Sequence, residues 1–212
     1  MLTVKTFIFN PLNENTYLVF NEDKECVILD PGCYSKDERK ILQDYISEHG
    51  LILKYLLNTH CHLDHVLGNK FIHEAYGLIL HIHPKEQAVL QYAPLFAANW
   101  GLTLDNYEGP LLFLEEGDII KLGSDELEVL FTPGHAPGHI AFYCRQQGFV
   151  IAGDVLFKGS IGRTDLPMGS FETLISSIKN KLFKLPDDTI VYPGHGEYTI
   201  IGQEKLHNPY LI

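Results

Sequence analysis

Short apolar runs broken by turn residues dominate the first sixty positions. Val4 to Phe9, Thr16 to Asn21 and Cys26 to Asp30 are rich in β-branched and aromatic residues and are separated by Asn-Pro and Asn-Glu-Asp turns. That pattern predicts three strands, the third closed by Asp30-Pro31-Gly32. Between Glu38 and His49 the spacing becomes helical: Ile41, Leu42, Tyr45 and Ile46 share one face, and Gly50 stops the run. Ile52 to Leu57 reads as a buried strand that leads straight into Asn58-Thr59-His60.

Strands and helices then alternate. The pattern predicts a helix ending over Phe71 to Tyr76, a strand over Leu78 to Ile82, and a helix from Glu86 to about Ala98 behind Pro84. Leu127 to Phe131, Ile140 to Cys144 and Phe149 to Ala152 read as strands. Phe171 to Leu185 is an amphipathic helix with Leu174, Ile178, Leu182 and Leu185 on one stripe, and Ile190 to Tyr192 is a last strand. Asn99 to Gly117 is the least regular stretch, and a lid or pocket wall is expected there. Strands outnumber helices and helices recur between blocks of strands. The expectation is one α/β (or α+β) domain over residues 1–212, with sheet layers covered by helix.

Composition narrows the class. A chain of 212 residues, 45% hydrophobic and 20% charged, can bury a single large core without staples. Sixteen Lys and Arg against 27 Asp and Glu leave a net charge of −11, which argues against a nucleic-acid partner. An anionic small substrate stays compatible, because a bound metal can dominate the local field. No apolar run reaches the ~18 residues of a membrane span. The N-terminus lacks the basic flank and cleavage site of a signal peptide. Cys26, Cys33, Cys61 and Cys144 form no CxxC pair, so reduced thiols and a cytoplasmic location are expected.

The histidines carry the chemistry. The densest cluster is Thr59-His60-Cys61-His62-Leu63-Asp64-His65, directly after a strand. Two histidines two residues apart on an extended segment can aim at one metal, and the Asp-His pair beyond can turn toward a second. Imidazole with carboxylate suits zinc and other late first-row ions. Three further segments repeat one grammar of apolar strand, glycine turn and metal-competent residue: Val129 to His135, Phe149 to Asp154 and Ile190 to His195. Strand ends bring side chains from distant sequence to one rim of a sheet, and glycine beside the ligand allows close approach. His49, His73 and His207 are read as solvated, and His81 and His83 as structural. His139 is either a partner that orients a ligand or a packing residue, and Cys61 should point away from the metal.

These motifs resemble the metallo-β-lactamase superfold and, within it, the short single-domain hydrolases of glyoxalase II (hydroxyacylglutathione hydrolase) type. The resemblance rests on Asp30-Pro-Gly, His60-x-His62-x-Asp64-His65, Thr132-Pro-Gly-His135, Gly153-Asp154 and Pro193-Gly-His195, in the family order. It implies a four-layer αββα sandwich, two mixed β-sheets flanked by helices, with a binuclear site at one rim. By the family pattern His60, His62 and His135 hold the first metal, Asp64, His65 and His195 the second, and Asp154 bridges them. His62, where diiron flavoproteins of the fold carry Glu, favours two Zn2+, with iron or manganese as the other ions such a site takes. Zinc β-lactamases commonly carry Cys where this chain has Asp154.

The resemblance also frames the substrate. It implies hydrolysis of a small-molecule thioester of the S-D-lactoylglutathione type by a bridging hydroxide, with Asp64 positioning that hydroxide as well as binding metal. A leaving thiol with a pKa of about 8.5 needs no strong general acid. Full-length glyoxalase II has a C-terminal helical domain that helps bind glutathione, and the chain is expected to lack it. Where that enzyme has Lys followed shortly by Tyr, this chain has Arg163 and then Asp165. Arg163 either clamps a substrate carboxylate or sits in a structural ion pair with Asp165. The piece Gly162-Arg-Thr-Asp165 also occurs in persulfide dioxygenases, mononuclear iron enzymes of this fold, from which Pro193-Gly-His-Gly196 and His139 lean away. The tail from Ile200 to Pro209 resembles the short hydrolases. A hydrolase of another ester or thioester and a non-catalytic metal-binding domain complete the alternatives.

Overall fold

The three expected N-terminal strands form in the computed structural model, which describes residues 1–212, as β1 (Thr3–Phe9), β2 (Glu14–Phe20) and β3 (Glu25–Leu29). Helix α1 (Lys36–Glu48) starts at a capping box in which Ser35 and Glu38 satisfy each other's backbone N–H groups, and it buries Leu42 and Ile46. Strand β4 (Ile52–Leu57) follows, then the one-turn α2 (Leu63–Val66), α3 (Asn69–Tyr76), β5 (Leu80–Ile82), α4 (Glu86–Asn99) and β6 (Leu111–Phe113).

The first sheet has the order β1-β2-β3-β4-β5-β6. Its first three strands are antiparallel, and β3 to β6 run parallel through the crossover helices. Leu42, Ile46, Ile72, Val89, Leu90 and Ala93 of the helices pack on Leu18, Ile28, Leu56, Leu80 and Ile82 of one face. The alternate residues Tyr17, Val19, Val27, Leu29 and Leu57 are buried too. Central strands shielded on both faces explain why these segments read as nearly continuous apolar runs. This compact unit comprises Met1–Leu114 with Lys121–Asp125.

The second unit comprises Glu115–Ile120 and Glu126–Ile212. The chain continues through β7 (Ile119–Leu122), β8 (Asp125–Phe131), β9 (Ile140–Cys144), β10 (Phe149–Gly153), the short hairpin β11 (Leu156–Phe157) and β12 (Ser160–Ile161), and α5 (Phe171–Asn180). It ends with β13 (Ile190–Pro193), β14 (Thr199–Ile200) and α6 (Ile201–His207). The second sheet has the order β14-β13-β10-β9-β8-β7. It is mixed as well, since β10 is parallel to β13 and antiparallel to β9. Leu174 and Ile178 of α5 and Ile201 of α6 pack on Ala141, Tyr143, Val150, Ala152 and Val191. The expected class, two mixed sheets flanked by helices, is the class observed.

Two local expectations need correction. Helix α5 stops at Asn180 and gives way to a 3-10 turn, Leu182–Lys184. Leu185 is extended (φ −69°, ψ 157°), as the steric demand of the following Pro186 requires. Leu182 stays buried all the same. The stretch after α4 is irregular as expected, apart from the three residues of β6, which pair in register with β5. Tyr107 is buried there, its hydroxyl donating to Pro110 O and accepting from Leu80 N. His73 is half-buried rather than solvated, with Nδ1 2.7 Å from Leu78 O. No helix is long and apolar enough to cross a membrane.

Candidate metal centre

The donors of the first unit hang from the end of β4. Beyond Leu57 the chain leaves the sheet, bends at Thr59 and reaches His62, which is extended at the N-cap of α2 (φ −65°, ψ 155°). His60 and His62 are two apart on this segment, their rings perpendicular with centroids 4.7 Å apart. His65 comes back on the single turn of α2, 4.1 Å from the His60 ring, and its Nε2 is 3.7 Å from Asp64 Oδ2. His60 and His65 are fully buried, whereas Asp64 keeps an exposed edge. Cys61 turns the other way, into the apolar core, as its position between two donors predicts.

One carboxylate organises this cluster. Asp30, in a left-handed conformation (φ 48°) at the end of β3, accepts from Thr59 N (2.7 Å), Thr59 Oγ1 (2.6 Å), Asn58 Nδ2 (3.2 Å) and His65 Nδ1 (3.1 Å). Asp30, His60 and His65 are close enough to look like a ligand triad. With four donors already on its two oxygens, Asp30 is an orienting group instead. Because the Thr59 hydroxyl donates to Asp30, it accepts from His60 Nδ1 at 3.0 Å. Both rings therefore carry their proton on Nδ1 and turn a lone pair outward on Nε2.

Further holding comes from residues on both sides of the cluster in sequence. Glu86, fully buried in the first turn of α4, accepts the Cys61 N–H at 2.8 Å. Asn58 Nδ2 also donates to His65 O, and Asn10 Nδ2 reaches Asp64 O at 3.0 Å. Glu14 lies beneath, also fully buried, and burial holds its carboxyl well above the usual carboxylate range.

The second unit supplies its own set. His135 follows the Thr132-Pro133-Gly134 turn, where Gly134 has φ +134° and a Cβ would lie 2.3 Å from Leu174 N. Only glycine lets this loop rest against α5. His135 Nδ1 donates to Arg163 O at 2.7 Å, which again puts the ring's lone pair on Nε2. Asp154 Oδ2 is 3.5 Å from His135 Nε2 and 3.7 Å from His195 Nε2. His139, fully buried, accepts the Asp154 N–H on Nε2 (3.1 Å) and meets Thr132 Oγ1 on Nδ1 (3.1 Å). Both of its nitrogens are occupied, so it steadies Asp154 rather than offering a ligand atom. The Arg163 guanidinium is exposed and engaged by both oxygens of Asp165 (2.7 and 2.6 Å).

The donors suit a divalent ion. Two ligand atoms at ~2.1 Å from one tetrahedral ion stand about 3.4 Å apart. The 3.5 to 3.7 Å spacings of Asp154 with His135 and His195, and of Asp64 with His65, match that separation. Imidazoles preset as Nε2 donors and partly exposed carboxylates are the ligands such ions take.

Known proteins then decide the family. The profile of the Metallo-beta-lactamase superfamily matches residues 9–195. The chain belongs to that superfamily. It is similar to "Hydroxyacylglutathione hydrolase GloC" of Haemophilus influenzae, 43% identical over 200 residues that cover 93% of this chain and 92% of the relative. "Persulfide dioxygenase ETHE1, mitochondrial" of Homo sapiens is 33% identical, over 92% of this chain and 70% of the relative. Among solved structures, BLEG-1 B3 metallo-beta-lactamase superposes with a TM-score of 0.90 at 34% identity, covering 99% of both chains. TTHA1623 in a di-iron-bound form gives 0.88 at 39%, covering 98% of this chain and all of the other.

Within this superfamily member, the sequence reading missed Asp30 as an orienting group and missed Glu86 and Asn10 altogether. Asp30 had a signal, since Asp-Pro-Gly closes a strand next to the metal motif. Glu86 and Asn10 had none, as their partners lie 25 and 54 residues away.

Proposed function

We propose that this metallo-β-lactamase superfamily protein is a binuclear metallohydrolase acting on a small-molecule thioester of the S-D-lactoylglutathione type. In this reading its two units act as one catalytic domain. His60, His62 and His135 would hold one ion, Asp64, His65 and His195 the other, and Asp154 would bridge. Zinc is the ion of choice for the imidazole-rich set. Bound ions supply a water acidified from 15.7 toward about 7 and a Lewis acid for the carbonyl oxygen.

The chain's residues do the rest. The acceptors on Nδ1 of His60, His65 and His135 fix the tautomer, so each ring would meet a metal through Nε2. Asp64, with one edge exposed, orients the attacking water and accepts its hydrogen bond. Thr132 and His139 hold the Asp154 backbone in place. A thiolate departs without a strong acid. A cytoplasmic location accompanies this reading, since the four cysteines are buried and form no disulfide.

The observation that carries the proposal is the preset Nε2 geometry in a chain 43% identical to a hydroxyacylglutathione hydrolase. The test is turnover of S-D-lactoylglutathione by the purified protein, after chelation and after Zn2+ is restored. Activity lost on chelation and recovered with zinc is expected. A protein that holds two zincs and leaves the thioester intact would overturn the substrate. One bound iron with oxygen consumption on a persulfide would favour dioxygenase chemistry, the activity named for the ETHE1 relative.

A further inference from the structure

We infer that Glu204, on the C-terminal helix, is a positioning residue that sets the metal affinity of the His195 side of the centre by gripping the turn of the β11–β12 hairpin. The inference rests on the reading of His135, Asp154 and His195 as metal ligands. It assigns a role to the tail from Ile200 to Pro209, which the proposed chemistry leaves unused.

The hairpin touches all three donors of its unit. Asp154 lies two residues before its first strand. At its far end Gly162 passes so close that a Cβ would lie 1.9 Å from Asp154 O and 3.2 Å from His135 Cβ. The next residue, Arg163, gives its carbonyl to His135 Nδ1. Near the tip the Phe157 ring meets the His195 ring, with centroids 6.3 Å apart at 62°. Two strands of two residues each, paired Leu156 to Ile161 and Phe157 to Ser160, cannot hold such a shape alone.

What holds it is the tail. Glu204 is 4% exposed. Its Oε2 accepts Gly159 N–H at 3.0 Å and Asn208 Nδ2 at 2.7 Å, and its Oε1 accepts the Thr199 hydroxyl at 2.5 Å. Asn208 Nδ2 also reaches Ser160 O at 3.0 Å. One buried carboxylate thus ties the hairpin turn to β14, the strand that follows the His195 loop, and so braces His195 from both sides. Without it the Gly159 amide loses its acceptor, the hairpin tip loosens and Phe157 withdraws from His195.

The experiment measures metal binding on the full chain, independently of any substrate. Zn2+ and Co2+ affinities are determined by competition with a chelator, and Co2+ absorption reports the coordination. Wild type is expected to take two ions. Glu204→Ala and Phe157→Ala are expected to weaken one of them about 10- to 100-fold and the other, which would share Asp154, by less. Glu204→Gln, which keeps one acceptor oxygen, should fall between. Lys205→Ala, which removes the Asp187 contact from the same helix, should match wild type.

Unchanged affinity for both ions in Phe157→Ala or in folded Glu204→Ala would overturn the inference. So would an equal loss in Lys205→Ala, since that would mean general loosening of the helix. Should Glu204→Ala fail to fold, Glu204→Gln and Phe157→Ala decide the matter. A wild type that takes fewer than two ions would instead refute the binuclear reading beneath it.

Discussion

Asp30 Oδ2 lies 3.1 Å from His65 Nδ1, although 35 residues separate the two in sequence. The same carboxylate holds Thr59, whose hydroxyl sets the His60 tautomer. Asp30→Asn is therefore expected to lower metal affinity about 10- to 100-fold, the usual effect of removing a group that orients a ligand. Asp30→Ala also strips the acceptor from the buried Thr59 N–H and should cost a further ~1–3 kcal/mol of stability. Zinc competition and urea unfolding measure the two effects. Wild-type affinity in Asp30→Asn would refute the orienting role.

Asp64 combines a ligand-like spacing to His65 with an exposed edge. Asp64→Asn keeps the shape and loses the charge. Thioester turnover is expected to fall about 10²- to 10⁴-fold, the range for a positioned proton acceptor, with the circular dichroism spectrum unchanged. Full activity in that variant would remove Asp64 from the mechanism.

The strands that deliver His60, His135, Asp154 and His195 were legible because each ends in a turn residue beside a metal-competent side chain. The short elements were not. A two-residue strand such as β11 or β14 has no periodicity to read, and its pairing depends on distant groups such as Glu204. The orienting carboxylates escaped for a related reason. Glu86 looks like any acidic residue in the first turn of a helix until its contact with Cys61 is seen. The end of α5 shows the converse, because the apolar stripe runs on through Leu182 while the backbone has already left the α-helix.

Glu14 makes a prediction about pH. One Thr16 hydroxyl proton faces two oxygens, Glu14 Oε2 and Asp30 O, each 2.9 Å away, so a protonated Glu14 completes the network. Burial raises its folded-state pKa above the unfolded value of about 4.3. The folded state then holds the proton more tightly. This contribution is fully present below pH ~4.3 and is lost as pH rises toward the folded value, at up to about 1.4 kcal/mol per pH unit. Glu14→Gln, permanently neutral, should escape that loss, so its advantage over wild type should grow from pH 5 to pH 8 in urea unfolding. Parallel pH curves would show Glu14 to be ionised in the fold.

Arg163 is expected to contribute to the site through its carbonyl rather than its guanidinium. The guanidinium holds the Asp165 carboxyl down at about 2, so the pair stays charged across the working pH range and breaks only as pH falls toward that value. Arg163→Ala preserves the carbonyl on His135 and should leave KM within about twofold, as for a screened surface pair. Asp165→Asn should release the guanidinium and lower KM for an anionic thioester, with kcat unchanged. A large rise of KM in Arg163→Ala would instead make the guanidinium a substrate clamp.

Glu86 tests whether the extended segment between His60 and His62 needs an anchor. Its carboxylate accepts the Cys61 N–H from a position buried within α4, and this hydrogen bond fixes the backbone from which the two imidazoles diverge. Glu86→Gln can still accept the amide through its carbonyl oxygen, whereas Glu86→Ala leaves the buried N–H without it, a cost of about 1–3 kcal/mol. The alanine variant should therefore lose both stability and zinc affinity, and the glutamine variant should recover most of each. If the two variants lost affinity equally, charge rather than the hydrogen bond would be what the His60–His62 segment requires. If neither lost any, the segment would be held by Asp30 and Thr59 alone.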